Sequence, residues 1–395
     1  MTTAAEFIEG CEHVETAAEL TARLARGRPL RVKLGLDPTT PDLHIGHAVV
    51  LRKLQQFVAA GHDVTLLIGD FTARIGDPTG RNAMRPPLDD EAIAVNMRTY
   101  AAQAGKVLDM ERITLRYNSE WLGQISFAGL IKLLAQTTVA QMLDRNDFAQ
   151  RYQSGTPISL HEFLYPVAQA YDSVALQADV ELGGSDQLFN LLMGRPYQQH
   201  AGQEAQVCLT VPLLEGIDGA KKMSKSVGNH IALTDTAVDQ FGKVMRIPDE
   251  SLARYARLAA NWPQREVDAM IAGISSGTLR AMDEKKKIAQ DVAALYHGAD
   301  AARAAREHFE RTIQRGELPE EIPERELDGA RTVVDALVAV GFAESKRAAT
   351  RLIGEGAVKI DGAVVGDPRA AWPAVDAAVL QVGARKFVRI RAAKG

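Results

Sequence analysis

Five short apolar runs, Leu30 to Leu36, Val64 to Gly69, Ile113 to Tyr117, Asp179 to Leu182 and Val207 to Leu213, are separated by stretches too long to be hairpin turns. Runs of this length, partly β-branched, read as strands, and the stretches between them carry helical periodicity. Strands joined through helical crossovers lie parallel, so the pattern predicts an α/β domain built on a parallel sheet. Between the first two runs, Val50, Leu54, Phe57 and Val58 share one helix face, and Gly61 is placed to end that helix.

The rhythm breaks twice. From about Asp89 to Tyr171 the pattern is largely helical, with Leu133, Leu134, Val139, Met142 and Leu143 apolar, and it reads as an insertion. From Asp235 to about Gln314 strands stop and helical runs follow, such as Leu279 to Tyr296 with Lys285, Lys286 and Lys287. Residues 315–324 are rich in proline and glutamate without apolar periodicity, which suits an exposed linker. Beyond it, helical Val333 to Val340 leads to a basic peptide, Ser345 to Ile353, and then to Val358-Lys359-Ile360. Asp361-Gly362 between that run and Val364-Val365 is a hairpin signal. A chain of 395 residues accommodates two to three domains, and the expected divisions are 1–230, 231–325 and 326–395.

Composition narrows the function classes. A formal net charge of −4 argues against a broadly basic nucleic-acid coat, so any RNA contact must come from local patches. Cys11 and Cys208 stand alone, which excludes a Cys-x-x-Cys metal or redox site, and no ligand-spaced cluster suggests a permanent protein-bound metal. No apolar stretch approaches the roughly 20 residues of a membrane span. Met1 to Glu6 has neither a basic start nor a long apolar segment, so a cytoplasmic protein is expected.

Four peptides carry chemistry. His44-Ile45-Gly46-His47 opens the helix after the first strand, where free N–H groups and the helix dipole favour anions, and Gly46 permits close approach of a nucleotide. Asp37-Pro38-Thr39 precedes it at a strand end, where ligands of open α/β sheets bind, and Thr39 can add a hydrogen bond to phosphate. Lys222-Met223-Ser224-Lys225-Ser226 lies between Gly219 and Gly228, a flexible segment able to bring two ammonium groups onto pyrophosphate. Without a ligand it is expected to stay open, its like charges giving little reason to order. Tyr165, Gln169 and Asp172 fall at i, i+4 and i+7 on one helix face, and Gly183-Gly184-Ser185-Asp186-Gln187 follows a strand and opens a helix. Each peptide alone is as readily a solvated turn or face; their coincidence in one chain is the informative fact.

On these residues the sequence resembles the class I aminoacyl-tRNA synthetases, and within them the bacterial tyrosyl-tRNA synthetases with a Lys-Met-Ser-Lys-Ser loop. The resemblance implies a Rossmann-like catalytic domain with a helical insertion, an α-helical anticodon-side domain and a small α+β RNA-binding domain. It implies that tyrosine and ATP give tyrosyl adenylate and pyrophosphate, and that the tyrosyl group passes to the 3′ end of tRNA. Thr39, His44, His47, Lys222 and Lys225 are then catalytic. Asp37, Gly46, Asp186 and Ser224 join His44, His47 and the two lysines in binding ATP. Asp77, Tyr165 and Gln169 hold the substrate ammonium, Asp172 accepts the phenol O–H, and Gln187 lies by the amino-acid carbonyl. Magnesium accompanies ATP, held by phosphates and water. A homodimer is implied, with no DNA or membrane partner.

Lys33 stands where many tyrosyl enzymes carry a second phenol-contacting tyrosine, and either pairs with Asp172 or points away. Glu181 is expected to face the cleft, and Arg81 and Arg85 are further expected contacts for pyrophosphate or the tRNA end. Ser345 to Gly362 resembles the RNA-binding module first known in a small-subunit ribosomal protein, with Lys346, Arg347 and Arg351 as its basic edge and Leu352 and Ile353 packing inward. A tryptophanyl enzyme and a non-catalytic, synthetase-derived RNA-binding protein are the alternatives.

Overall fold

The computed structural model describes residues 2–79, 90–314, 322–327, 332–373, 375, 377–383 and 386–392. They fall into two compact units, Met1–Tyr296 and His297–Gly395.

The first unit is built on strands β1 (His13–Glu15), β2 (Arg31–Leu36), β3 (Asp63–Ile68), β4 (Thr114–Tyr117), β5 (Val180–Gly184) and β6 (Val207–Val211), in the order β1-β6-β5-β2-β3-β4. β2 to β6 are mutually parallel where they pair, and β1 joins β6 antiparallel. All five expected runs form strands. β1 was not anticipated, because three half-buried residues leave no periodic trace. The chain runs β2, β3, β4 towards one edge and then returns to place β5 on the other side of β2, so the strand order reverses between β2 and β5.

Helix α1 (Ile45–Ala59) carries β2 to β3, with Val50, Leu54, Phe57 and Val58 all buried. His44 caps its start in extended conformation, and Gly61, at φ +82°, turns the chain away after its end. The region between β3 and β5 is helical apart from β4, and it finishes in α2 (Leu164–Leu176). α2 packs on α3 (Leu188–His200), burying Val167, Ala170, Met193 and Tyr197 together with Met142. Removing side chains of this kind from water supplies about 1.5–3 kcal/mol each, which holds the polar face of α2 against the sheet. Further helices between Ala237 and His297 follow β6. There Lys285 is buried, its ammonium donating to the Ile247 carbonyl (2.7 Å) and pairing with Asp249 (2.5 Å), so it ties helices together instead of facing solvent.

In the second unit, β7 (Glu324–Leu327), β8 (Val358–Ile360), β9 (Ala363–Val364), β10 (Ala377–Val382) and β11 (Lys386–Ala392) form a sheet in the order β7-β11-β10-β8-β9. Asp361 and Gly362 both have positive φ, 47° and 84°, the two left-handed residues that a tight hairpin between β8 and β9 requires. Helices α4 (Val333–Ala339) and α5 (Lys346–Gly354) cover the sheet, with Leu337, Ala349 and Ile353 packed among Val358, Leu380 and Ile390; Leu352 is partly buried against the same core. Among the described residues no helix is long and apolar enough to cross a membrane.

Candidate active site

The carboxyl ends of β2 and β5, where the strand order reverses, open a crevice of the kind that binds ligands in open α/β sheets. A cavity of about 660 Å³ occupies it. The catalytic, ATP-binding and tyrosine-binding residues that the resemblance implies line this one space: Asp37 and Thr39 after β2, His44, Gly46 and His47 from α1, and Asp77. Tyr165, Gln169 and Asp172 from α2, Asp186 and Gln187 after β5, and Lys222, Ser224 and Lys225 complete the set.

At one end the His44 and His47 rings stack with centroids 3.8 Å apart. The His44 backbone N–H donates to His47 Nδ1 (3.2 Å), so in the neutral ring the His47 proton sits on Nε2. Burial, reinforced by Lys222, lowers His47 to about 4; burial and then the neighbouring His47 hold His44 well below the usual histidine range. Both imidazoles are therefore neutral N–H donors at pH 7, with no charge to repel the lysines. Gly46 has a nearer neighbour than any nucleotide, since a Cβ there would lie 2.9 Å from His44 Nδ1. Its missing side chain is what lets the His44 ring fold over the helix start.

The lysine-bearing loop does not follow the expectation of an open segment. Lys222 forms an ion pair with Asp186, and Lys225 with Asp42 (2.6 Å). Met223 is buried, its N–H donating to the Leu214 carbonyl (3.1 Å), and the Ser224 N–H donates to Asn229 Oδ1 (2.8 Å). Like charges along the loop are thus offset by carboxylates from distant parts of the chain, which local sequence does not display.

The other end is a buried polar network. Tyr165 donates its hydroxyl to Asp37 Oδ2 (2.9 Å), and Thr72 Oγ1 donates to Asp37 Oδ1 (2.8 Å). Burial, then the nearby Asp37 and Asp77, push the Tyr165 hydroxyl well above its ordinary range, so it stays a donor. Asp77 accepts from Gln187 Nε2 (2.8 Å) and the Thr79 N–H (2.9 Å), and lies 3.5 Å from the Arg145 guanidinium. Asp172 accepts from Trp121 Nε1 (2.8 Å) and Asn118 Nδ2 (3.2 Å). Burial raises its carboxyl to about 7 against the opposing influence of Lys33, Trp121 and Asn118.

Lys33 does not pair with Asp172 but points away from the phenol pocket, the second of the two expected courses. It pairs with Glu181 (3.1 Å), directly opposite it in the β2–β5 register, and also donates to the backbone carbonyl of Gln169 (3.3 Å). Glu181 does not line the cavity, contrary to expectation; it is buried behind α2, on the far side of Gln169. Arg81 and Arg85 lie outside the described residues. Asn118, Trp121, Arg145 and Asp42 were not anticipated. Asn118 and Trp121 directly follow β4, and their place at a strand's carboxyl end was a usable signal. Arg145 and Asp42 offered none. On the second unit, Lys346, Arg347 and Arg351 project from α5 and are exposed; Lys346 pairs with Asp335 (2.9 Å) and Arg351 lies 3.7 Å from Glu355.

Residues 25–314 match the family model of class I tRNA synthetases (W and Y), and residues 332–370 match the S4 domain. Fold and site together define a class I tRNA synthetase with an appended S4 domain. The tyrosine-tRNA ligase of Thermotoga maritima is 50% identical over 94% of this chain and 93% of its own, and that of Thiobacillus denitrificans is 48% identical over 98% of each. The chain belongs to the tyrosine-tRNA ligase family. The fold is also that of the Archaeoglobus fulgidus tyrosyl-tRNA synthetase complexed with L-tyrosine, at TM-score 0.62 and 23% identity over 77% of this chain and 98% of that one. An Aspergillus nidulans mitochondrial tyrosyl-tRNA synthetase gives TM-score 0.63 at 24% identity over 78% and 93%.

Proposed function

We propose that the crevice activates L-tyrosine with ATP, forming tyrosyl adenylate and pyrophosphate, and then passes the tyrosyl group to the 3′ end of tRNA. The observation that carries this reading is the convergence of the imidazole pair, the lysine loop and the Tyr165/Gln169/Asp172 face on one cavity. The substrate carboxylate is already ionised at neutral pH and is itself the nucleophile, so the protein needs no covalent step. Its oxygen attacks the α-phosphorus as the bond to pyrophosphate breaks. What the protein supplies is a set of donors where negative charge accumulates. Thr39, His44 and His47 serve the α-phosphate side; Lys222 and Lys225 leave Asp186 and Asp42 to meet the departing pyrophosphate, with Ser224 beside them. Released from Lys222, Asp186 accepts from the ribose hydroxyls.

Tyrosine lies with its ammonium among Asp77, Tyr165 and the Gln169 carbonyl, its carboxyl group towards Gln187, and its phenol on Asp172. An ionised carboxylate has about four lone-pair sites, so Asp172 can hold Trp121, Asn118 and a phenol together. The side chains at the phosphate end are largely nitrogen donors, two of them cationic, and magnesium is read as arriving on the triphosphate.

The α5 basic edge and the helices between 231 and 325 grip the tRNA in this reading, and the protein works in the cytoplasm. It works as a homodimer. Helix Phe127–Leu134 buries none of its residues, and Phe127, 78% exposed, shares its outer face with Ile131 and Leu134, an apolar stripe that a second copy would cover.

Amino-acid-dependent ATP–pyrophosphate exchange tests the activity: tyrosine alone should support it. Exchange with tryptophan selects a tryptophanyl enzyme, whose indole N–H Asp172 would accept. Silence with every amino acid but retained tRNA binding selects a non-catalytic protein. Phe127→Asp should yield a monomer by light scattering, and an unchanged mass would remove the dimer face.

A further inference from the structure

Directly behind the amino-acid end of the cavity lies a buried ion pair, Lys33 and Glu181, whose members are not among the residues that line that cavity. Lys33 is 2% exposed and Glu181 1%. Glu181 accepts from four donors: Lys33 Nζ (3.1 Å), Gln169 Nε2 (3.0 Å), Ser173 Oγ (3.1 Å) and Gln206 Nε2. That set uses every lone-pair site a carboxylate offers. Breaking one partner of a buried pair is strongly destabilising, whereas apolar side chains of equal volume often serve stability as well. Stability alone therefore does not account for a pair at this spot, and its contacts point to a second role.

We infer that Lys33 and Glu181 are a positioning pair for amino-acid selection: Glu181 turns the Gln169 amide so that its carbonyl faces the substrate ammonium, and Lys33 places positive charge behind the Asp172 carboxylate that receives the phenol hydrogen. The inference rests on the tyrosine-activating reading above. A side-chain amide has one donor end and one acceptor end. With Nε2 committed to Glu181, Gln169 presents Oε1 to the cavity, which suits an ammonium and no anion. Lys33 donates to the backbone carbonyl of Gln169, one turn before Asp172 on α2, and is the strongest influence favouring the ionised form of Asp172 against its burial. The other groups facing Asp172 are Trp121 and Asn118, which donate to it, Glu181, which opposes its charge, and Tyr165 on the same helix.

The test is tyrosine-dependent ATP–pyrophosphate exchange between pH 6 and 9, with inhibition by desamino-tyrosine, which keeps the phenol and lacks the ammonium. Lys33→Met should raise KM for tyrosine about 5-fold at pH 7 and move the fall of KM with pH about one unit alkaline, with kcat changing far less. Glu181→Gln should weaken tyrosine while sparing desamino-tyrosine; Lys33→Met should weaken both. Should Lys33→Met not fold, the doubly neutral K33M/E181Q, which leaves no unpaired buried charge, must still show an alkaline shift, smaller than that of Lys33→Met because the opposing Glu181 charge is removed as well. Unchanged KM values and pH profiles, with only the melting temperature lowered, would overturn the inference. A wild-type protein that gives no exchange with tyrosine instead overturns the functional reading on which it stands.

Discussion

Replacing Asp172 by asparagine alters a single atom type at the point where the cavity meets its densest set of donors. The carboxylate accepts from Trp121 Nε1 and Asn118 Nδ2 on separate oxygens, so whichever way an asparagine amide turns, its NH₂ meets one of two N–H donors. One bond is lost, and the remaining oxygen is a neutral acceptor for the phenol. A hydrogen bond to a charged group is worth about 1.5–3 kcal/mol, and 1.4 kcal/mol is tenfold in an equilibrium. The variant's kcat/KM for tyrosine should therefore fall about 10- to 100-fold. Phenylalanine presents no hydroxyl and loses nothing comparable, so the ratio of the two kcat/KM values, measured by pyrophosphate exchange, should narrow by the same factor. If the variant rejects phenylalanine as strongly as the parent, the phenol contact lies elsewhere. Stability supplies an independent check. Burial raises the folded-state pKa of Asp172 from 3.8 to about 7, so the folded protein holds this proton over a range where the unfolded chain has released it. Folding stability from this group is unaffected below about pH 4, declines as pH rises from about 4 to 7, and stays reduced above. Asp172→Asn should thus raise the melting temperature more at pH 8 than at pH 5, and an equal shift at both would refute the assigned protonation.

The remaining predictions address the other end of the crevice and the second unit. Lys225→Ala should slow single-turnover adenylate formation by about 100-fold or more, as loss of one donor to a developing anion does, while equilibrium tyrosine binding changes little; an unaltered rate would reject the loop's part. Gly46→Ala places a methyl 2.9 Å from His44 Nδ1 and should displace that ring, reducing adenylation with only a small loss of melting temperature. Normal adenylation would show the His44 position to be unimportant. Arg347→Glu combined with Arg351→Glu should raise KM for tRNA in aminoacylation, flatten its salt dependence and leave pyrophosphate exchange intact; unchanged tRNA affinity would move the RNA edge to another face.

Periodicity and turn chemistry were legible because they are written locally. The apolar face of α1, its glycine stop, the five parallel strands and the Asp361-Gly362 hairpin follow from residues within a few positions of one another. The motif peptides were legible for the same reason, and the structure gathers all of them on one cavity. β1 escaped because it is too short to carry a period. The loop's ion pairs escaped because Lys222 finds Asp186, and Lys225 finds Asp42, only across the folded crevice.

What the chain's order of residues determined by itself is the kind of sheet, the elements that flank it and the chemical groups available for phosphate and amino acid. Tertiary structure alone decided how those groups are used. Burial neutralises the two imidazoles and lifts the Asp172 carboxyl, and neighbours distant in sequence set the Gln169 amide and turn Lys33 onto Glu181. The physical reason is that proton affinity and hydrogen-bond direction depend on local dielectric and on partners within a few ångströms, and neither exists until the strands have paired.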